Sequence, residues 1–161
     1  MPSLANRYRQ GFTMIELMMV VALTGILAMI AAPSFKDFVL ATRVRTAASD
    51  LYASLVLARS EAIKRSASVT VTPSSGDWRN GWTVAVGGVT LQSQEAVTSI
   101  DAAAGSAITY RRDGRVTAAV APIQFKVAAS PQVQMRCISI DLSGRPLTKT
   151  DTNSDATDGC N

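Results

Sequence analysis

Gly11-Phe12-Thr13-Met14-Ile15-Glu16-Leu17 opens an apolar run that lasts to Ala32, just before Pro33. Between residues 12 and 32, only Thr13, Glu16, Thr24 and Gly25 interrupt large or small apolar side chains. At a rise of about 1.5 Å per residue, these 21 positions make a helix of about 31 Å. That is enough to cross a hydrocarbon core of about 30 Å. A lone carboxylate near the start of such a helix is the anomaly. An intramembrane acid costs up to about 3 kcal/mol at the helix centre and less near an end, so Glu16 is expected to have a partner and a task.

The residues ahead of the run bear on that partner. Arg7 and Arg9 favour a cytoplasmic N-terminus and export of the remainder. An ordinary secretory signal carries its small-residue cleavage site after the apolar region; here the Gly11-Phe12 junction comes first, and no clear Ala-x-Ala site follows before Pro33. A plain single-span anchor accounts for neither Glu16 nor that junction. A cut between Gly11 and Phe12 creates an α-amino group four residues before Glu16, one helical turn away. The ammonium then pairs with Glu16 of its own chain or of a neighbour. The Gly-Phe-Thr-x-Ile-Glu pattern resembles the processing site of type IV prepilins and pseudopilins. The resemblance implies that residues 1–11 are a leader removed by a membrane prepilin peptidase, that Phe12 is N-methylated, and that Glu16 guides docking into a growing helical filament.

Composition limits the alternatives. The 161 residues allow one modest domain beside the membrane segment. The net charge of +4 includes Arg7 and Arg9, so loss of the leader leaves +2 and makes the basic pI weak support for nucleic-acid binding. Two cysteines are present, Cys137 and Cys160, with 22 residues between them. A bridge closing that loop is worth about 3 kcal/mol in the chain-entropy model, and an oxidising compartment favours it over two free thiols. The chain has no histidine, which removes the commonest general base and metal ligand. No nucleophile elbow, phosphate-cradling loop or usefully spaced carboxylate pair occurs either, so neither an enzyme nor a cofactor or metal site is expected.

Beyond Pro33, a point where the helix can bend, the pattern stays helical to about Arg65. Leu40, Val44, Ala47, Leu51, Leu55, Ala58 and Ala62 recur at three- and four-residue steps and mark one apolar stripe. Arg43, Arg45, Asp50, Arg59, Glu61 and Lys64 lie mostly off it. One long helix follows, with a membrane or filament-core half over 12–33 and an amphipathic half over 34–66. Residues 58–65, Ala-Arg-Ser-Glu-Ala-Ile-Lys-Arg, then the alternating 69–72 and the Trp-Arg-Asn-Gly-Trp of 78–82, resemble the H-type minor pseudopilins of type II secretion and the FimU and FimT minor pilins, the GspH family. With the N-terminus, the likeness covers residues 11–86. It implies an α+β fold of the type IV pilin kind, a ladle in which the long N-terminal helix packs on an antiparallel β-sheet head over 67–161.

The remaining residues support such a head on their own. Segments 69–72, 82–86, 89–92, 108–111, 115–118, 123–127 and 134–141 read as short strands separated by Gly, Pro, Ser and Asp clusters. Asp113-Gly114 marks a tight hairpin between two of them. Trp78 and Trp82 are expected to pack in the core or at a sheet edge rather than to form a ligand platform. Residues 102–106 read as a loop, and 143–161 as a polar tail that only a Cys137–Cys160 bridge would anchor.

Arg111, Arg112 and Arg115 flank the predicted turn, while Arg136, Arg145 and Lys149 lie near the C-terminal segment. Gathered on one face, they would bind DNA phosphates without reading sequence. Competence pilins of the FimT kind carry Gly-Arg-x-Arg for DNA; this chain has Gly144-Arg145-Pro146-Leu147, which lacks the second arginine, with acidic residues around it. The expected function is therefore a minor pilin that joins a tip complex and helps initiate assembly of a type IV pilus or a type II secretion pseudopilus. The alternative is a DNA-binding minor pilin for natural transformation. The expected partners are prepilin peptidase, other minor and major pilins or pseudopilins, and the inner membrane, with DNA under the alternative. Before assembly the chain spans the inner membrane once with a periplasmic head; afterwards it sits at a filament tip at the cell surface or in a periplasmic pseudopilus.

Overall fold

A computed structural model describes residues 12–152. Helix α1 (Met14–Arg65) runs for 52 residues, and the chain divides into two compact units, one ending at Lys36 and the other beginning at Asp37. In the first unit the helix starts on a side-chain cap. Thr13 Oγ1 accepts the N–H of Glu16 at 3.2 Å, and its carbonyl accepts the N–H of Leu17 at 3.1 Å. This is the threonine half of a Thr-x-x-Glu capping box, and it satisfies a donor that the helix itself cannot. Met14–Ala31 has a mean hydropathy of 2.3, and none of it is buried. By length and composition it can cross a membrane. Its one hydroxyl beyond the cap, on Thr24, donates to the Val20 carbonyl at 2.6 Å and so is not left unpaired in apolar surroundings.

In the second unit the rest of α1 lies under eight antiparallel strands. β1 (Val69–Pro73), β2 (Trp82–Val86), β3 (Val89–Gln94) and β5 (Ile108–Tyr110) form one sheet in the order β3-β2-β1-β5. β4 (Asp101–Ala102), β6 (Val120–Lys126), β7 (Arg136–Ile140) and β8 (Pro146–Thr150) form the other, in the order β4-β6-β7-β8. Every member of the stripe read from the sequence, Leu40, Val44, Ala47, Leu51, Leu55, Ala58 and Ala62, is buried. They share one core with Val69, Val71 and Ile108 of the first sheet and Ile123, Phe125 and Ile138 of the second. Strand alternation supplies those inward residues. Val69 and Val71 point in, while Thr70 Oγ1 meets Thr109 Oγ1 across the β1–β5 pair at 3.1 Å.

Trp78 and Trp82 are both core residues, with ring centroids 6.3 Å apart. Trp82 Nε1 donates to Ser54 Oγ at 2.9 Å, and the Ser54 hydroxyl in turn donates to the Asp50 carbonyl at 2.8 Å. A polar residue in the helix stripe is thus explained by the indole that needs an acceptor. The helix ends in a Schellman arrangement, Ala67 N–H to Ala62 C=O and Ser66 N–H to Ile63 C=O, both 3.2 Å, with Ser66 at φ 51°.

The structure corrects the sequence reading at three places. The expected strand 115–118 reduces to a single bridge, Tyr110 to Val116. The alanines that follow have little side chain to pack on a pleated surface. The loop 102–106 contributes Ala102 to β4, and Ala104 forms a bridge with Asp77. The supposed tail begins with β8, whose register on β7 runs from Ile140↔Pro146 to Arg136↔Thr150. β8 is a sheet edge, where proline and lysine are tolerated and a polar outer face is normal, so it has no apolar alternation to betray it.

Two turns of the same form meet where the sheets approach each other. Gly114 N–H bonds Arg111 C=O at 2.8 Å, and Gly144 N–H bonds Asp141 C=O at 2.9 Å. The next residue returns the bond each time, Arg111 N–H to Arg115 C=O and Asp141 N–H to Arg145 C=O. Both glycines have left-handed φ, 74° and 80°. They also pack on each other: a Cβ on Gly144 would strike the Gly114 carbonyl and press on the Tyr110 ring, and one on Gly114 would lie 2.7 Å from Ile63 Cδ1 of α1. Gly144→Ala combines backbone strain with this clash and should lower the stability of the head by roughly 2–4 kcal/mol. Denaturant unfolding followed by tryptophan emission measures it; a change below about 0.5 kcal/mol would show that the two turns do not depend on each other.

Candidate functional site

The N-terminal stretch holds the strongest candidate residues. Gly11 lies outside the described residues; Phe12 is exposed directly ahead of the helix. Glu16 is exposed in the first turn, where a carboxylate is favourable beside the positive end of the helix dipole. Around and beyond it, every large apolar side chain from Met14 to Ile30 is at least 50 % exposed. A surface of that size and character requires lipid or neighbouring helices to cover it. Sequence reasoning missed the capping role of Thr13, although the Thr-x-x-Glu spacing was there to read.

The six basic candidates separate into two groups. Arg111, Arg112, Arg115 and Arg145 are exposed around the paired glycine turns. The charge of Arg111 is partly offset, since its Nη2 lies 3.6 Å from Asp113 Oδ2, while Asp141 Oδ1 accepts the backbone N–H of Arg145 at 3.0 Å. The Ser143 hydroxyl, followed by the Arg145 backbone N–H, holds the Asp141 carboxyl below its ordinary range. Arg136 and Lys149 lie at the other end of the β7–β8 hairpin, opposite Thr150 and Cys137. Four residues of strand, about 13 Å, separate Arg136 from the Ile140 end beside the turn. The structure therefore does not gather all six on one site.

Beneath the paired turns sit two buried polar atoms, Arg59 Nε and Tyr110 Oη, neither with a hydrogen-bond partner among the described residues. Burial pushes the Tyr110 phenol up to about 12, against the opposing effect of Arg59. The phenol therefore stays neutral at physiological pH. Cys137 is buried on β7, and Cys160 lies outside the described residues.

The larger cavity, about 490 Å³, is bounded by Trp78 and mostly small residues from 103–107 and 116–123, with no ionisable side chain in its lining. Among the described residues, no cluster of His, Cys, Asp and Glu could hold a metal ion.

Comparison with known proteins agrees with this picture. Residues 47–144 match the family model described as type II transport protein GspH, and residues 6–32 match the prokaryotic N-terminal methylation motif. A fimbrial protein of Pseudomonas aeruginosa is 40% identical over 76 residues, which is 47% of this chain and 49% of that protein. The chain thus spans about half the length of the curated relatives it matches. The crystal structure of the type IV minor pilin FimU of P. aeruginosa strain PAO1 shares the fold, with a TM-score of 0.60 at 20% identity over 74% of this chain and 96% of that one. A second crystal form of FimU gives a TM-score of 0.58 at 21% identity, over 73% and 99%. The matched family is one of structural subunits rather than enzymes. With a family model over residues 47–144, that motif at its start and a fold shared with FimU, the chain belongs to the GspH family.

Proposed function

We propose that this protein is a priming subunit, cut between Gly11 and Phe12, methylated at Phe12, and incorporated into a small tip complex that starts a type IV pilus or a type II secretion pseudopilus. The observation that carries this reading is the bare apolar helix Met14–Ala31, headed by one carboxylate. Such a surface is stable first in the inner membrane, with the head in the periplasm, and then among other pilin helices at a filament tip or in a periplasmic pseudopilus. Glu16 pairs with the new amino group at Phe12 of its own or a neighbouring chain. The head supplies partner contacts, and a Cys137–Cys160 bridge anchors the residues after β8.

Two substitutions separate the charge of Glu16 from its place in the capping box. Glutamine serves the box as glutamate does, but carries no charge. If the carboxylate is the docking charge, Glu16→Gln and Glu16→Ala should both insert and be cleaved, yet enter filaments about tenfold less, as loss of about 1.4 kcal/mol would give. Quantitative immunoblotting of sheared filaments, with intact mass to confirm cleavage, reads this out. Normal incorporation of the glutamine variant would reduce Glu16 to a helix cap.

The bridge predicts that the unreduced, unfolded protein has no free thiol. Reduction should lower the melting temperature by about 10 °C, from a loop worth about 3 kcal/mol. Two labelled thiols before reduction would refute the pairing.

A second reading, DNA capture, is favoured by one observation: the paired turns bring Arg111, Arg112, Arg115 and Arg145 together. Against it stand the ion pair at Asp113, the acid at Asp141 and the distance to Arg136 and Lys149. Under the priming reading, the purified chain binds duplex DNA weakly, and Arg145→Ala changes little. A micromolar, salt-steep affinity whose slope falls by about one ion in Arg145→Ala would establish the DNA reading instead.

A further inference from the structure

Within the second unit, α1 carries another stripe, turned away from the core. Phe38, Arg45, Tyr52 and Arg59 recur every seven residues, and Val56 and Ile63 stand four positions after Tyr52 and Arg59. Steps of three, four and seven keep all six on one helix face. The apolar members are open to solvent: Phe38 is 68 % exposed, Ile63 51 %, Val56 42 % and Tyr52 40 %. Exposed apolar groups scattered singly need no explanation. Four along one face of one helix have the pattern of a helix-packing seam, and here no element of the head covers them.

The two arginines fix the chemistry of what packs there. Arg45 is exposed and Arg59 half-buried, and among the described residues neither makes an ion pair. Arg59 Nε is buried with no hydrogen-bond partner among them. Arg136 of β7, likewise without an ion pair, lines the cleft in which Arg45 stands. The acids on this part of the helix are out of step with the stripe. Asp37, the one carboxylate in that cleft, accepts the Ser130 hydroxyl at 2.9 Å, and Glu61 is paired with Lys64 and Arg65. Asp50 falls between Arg45 and Tyr52 on another face. Two copies laid stripe to stripe would therefore set arginine against arginine with no acid between them, which disfavours self-pairing. A helix bearing acids meets the stripe instead, because guanidinium and carboxylate form two parallel hydrogen bonds, and arginine beside tyrosine is the usual anchor of an interface. Arg45 and Arg59 are 14 residues apart, about 21 Å along the helix, so the complementary acids stand about two heptads apart. We infer that this stripe docks a helix of a different pilin subunit, one with an apolar seam and carboxylates facing Arg45 and Arg59. The inference rests on the assembly reading above and names the kind of partner it needs.

The test uses the full chain in cells, with the photo-cross-linker p-benzoylphenylalanine replacing Tyr52. Cross-linked products from membranes and filaments are mapped by mass spectrometry. Position 52 should join a helix of another pilin, within about one heptad of an aspartate or glutamate. R45E should reduce both that cross-link and incorporation into filaments about tenfold, while R112E, off the stripe, should change neither. Replacing the mapped partner acid by lysine should restore R45E. If R45E lowers the amount of folded chain, the milder R45Q should still cut the cross-link at least twofold. A cross-link to a second copy, to lipid or to DNA overturns the assignment, as does a mapped helix with no acid near the joined residue. So does incorporation of R45E at the wild-type level, an equal loss in R112E, or no cross-link from wild-type filaments. Absence of the wild-type chain from filaments would instead remove the assembly reading itself, and this inference with it.

Discussion

Both sheets depend on one face of one helix, and that face is made narrow by alanine. Ala47, Ala48, Ala58 and Ala62 are buried and carry no side chain beyond Cβ, while Val44, Leu51 and Leu55 fill the spaces between them. The bulk comes from the other side: Trp78, Trp82, Tyr110 and Phe125, all fully buried, project from the strands and turns. Small residues on the helix opposite large ones from the sheets give the interdigitation that close-packed interiors require. An enlarged alanine would push two sheets away at once, since no ladder joins them into one. The sheets are also linked where Gly144 rests on Gly114, and Gly114 in turn rests on Ile63. Helix end, first sheet and second sheet therefore meet at a point where only glycine fits.

How much of this was legible depended on whether the signal was local. The helix stripe was, because burial at 3.6-residue spacing is written in consecutive turns, and the strands with an inward valine or isoleucine every second residue were as well. β8 was not, since Pro146-Leu147-Thr148-Lys149-Thr150 buries only its first residue. Its hydrogen bonds come from β7, not from any pattern of its own. Ser54 is buried because it accepts from the Trp82 indole 28 residues away, a pairing that no local pattern announces.

The same division applies to the candidate residues. Gly11, Phe12 and Glu16 lie within six residues and form a recognisable pattern. Arg45 and Arg136, 91 positions apart, line one surface pocket that also includes Asp37, to which the Ser130 hydroxyl donates. Arg136 shows how proximity in sequence misleads. It stands nine residues before Arg145, yet the β7–β8 hairpin carries it away from the arginine turns and toward the start of the helical face.

Glu16 serves two demands that reinforce each other. A helix start exposes N–H groups and a partial positive charge, and Thr13 satisfies only one of those donors. A carboxylate in the first turn already relieves that charge. Under the proposed cut, a cationic amine would be added at the same end, where the dipole disfavours it, and in apolar surroundings an unpaired charge is costlier still. The carboxylate then becomes the nearest group able to neutralise the amine. Within a single chain, the amine and Glu16 compete for the same short turn. Between two chains, the amine of one can meet the carboxylate of the other while their bare apolar faces cover each other. Apolar burial alone would let neighbouring helices slide along each other, because it has no direction. Under the proposed pairing, one charge pair at a fixed depth would set the register, because the remainder of the run to Ala32 is free of charge.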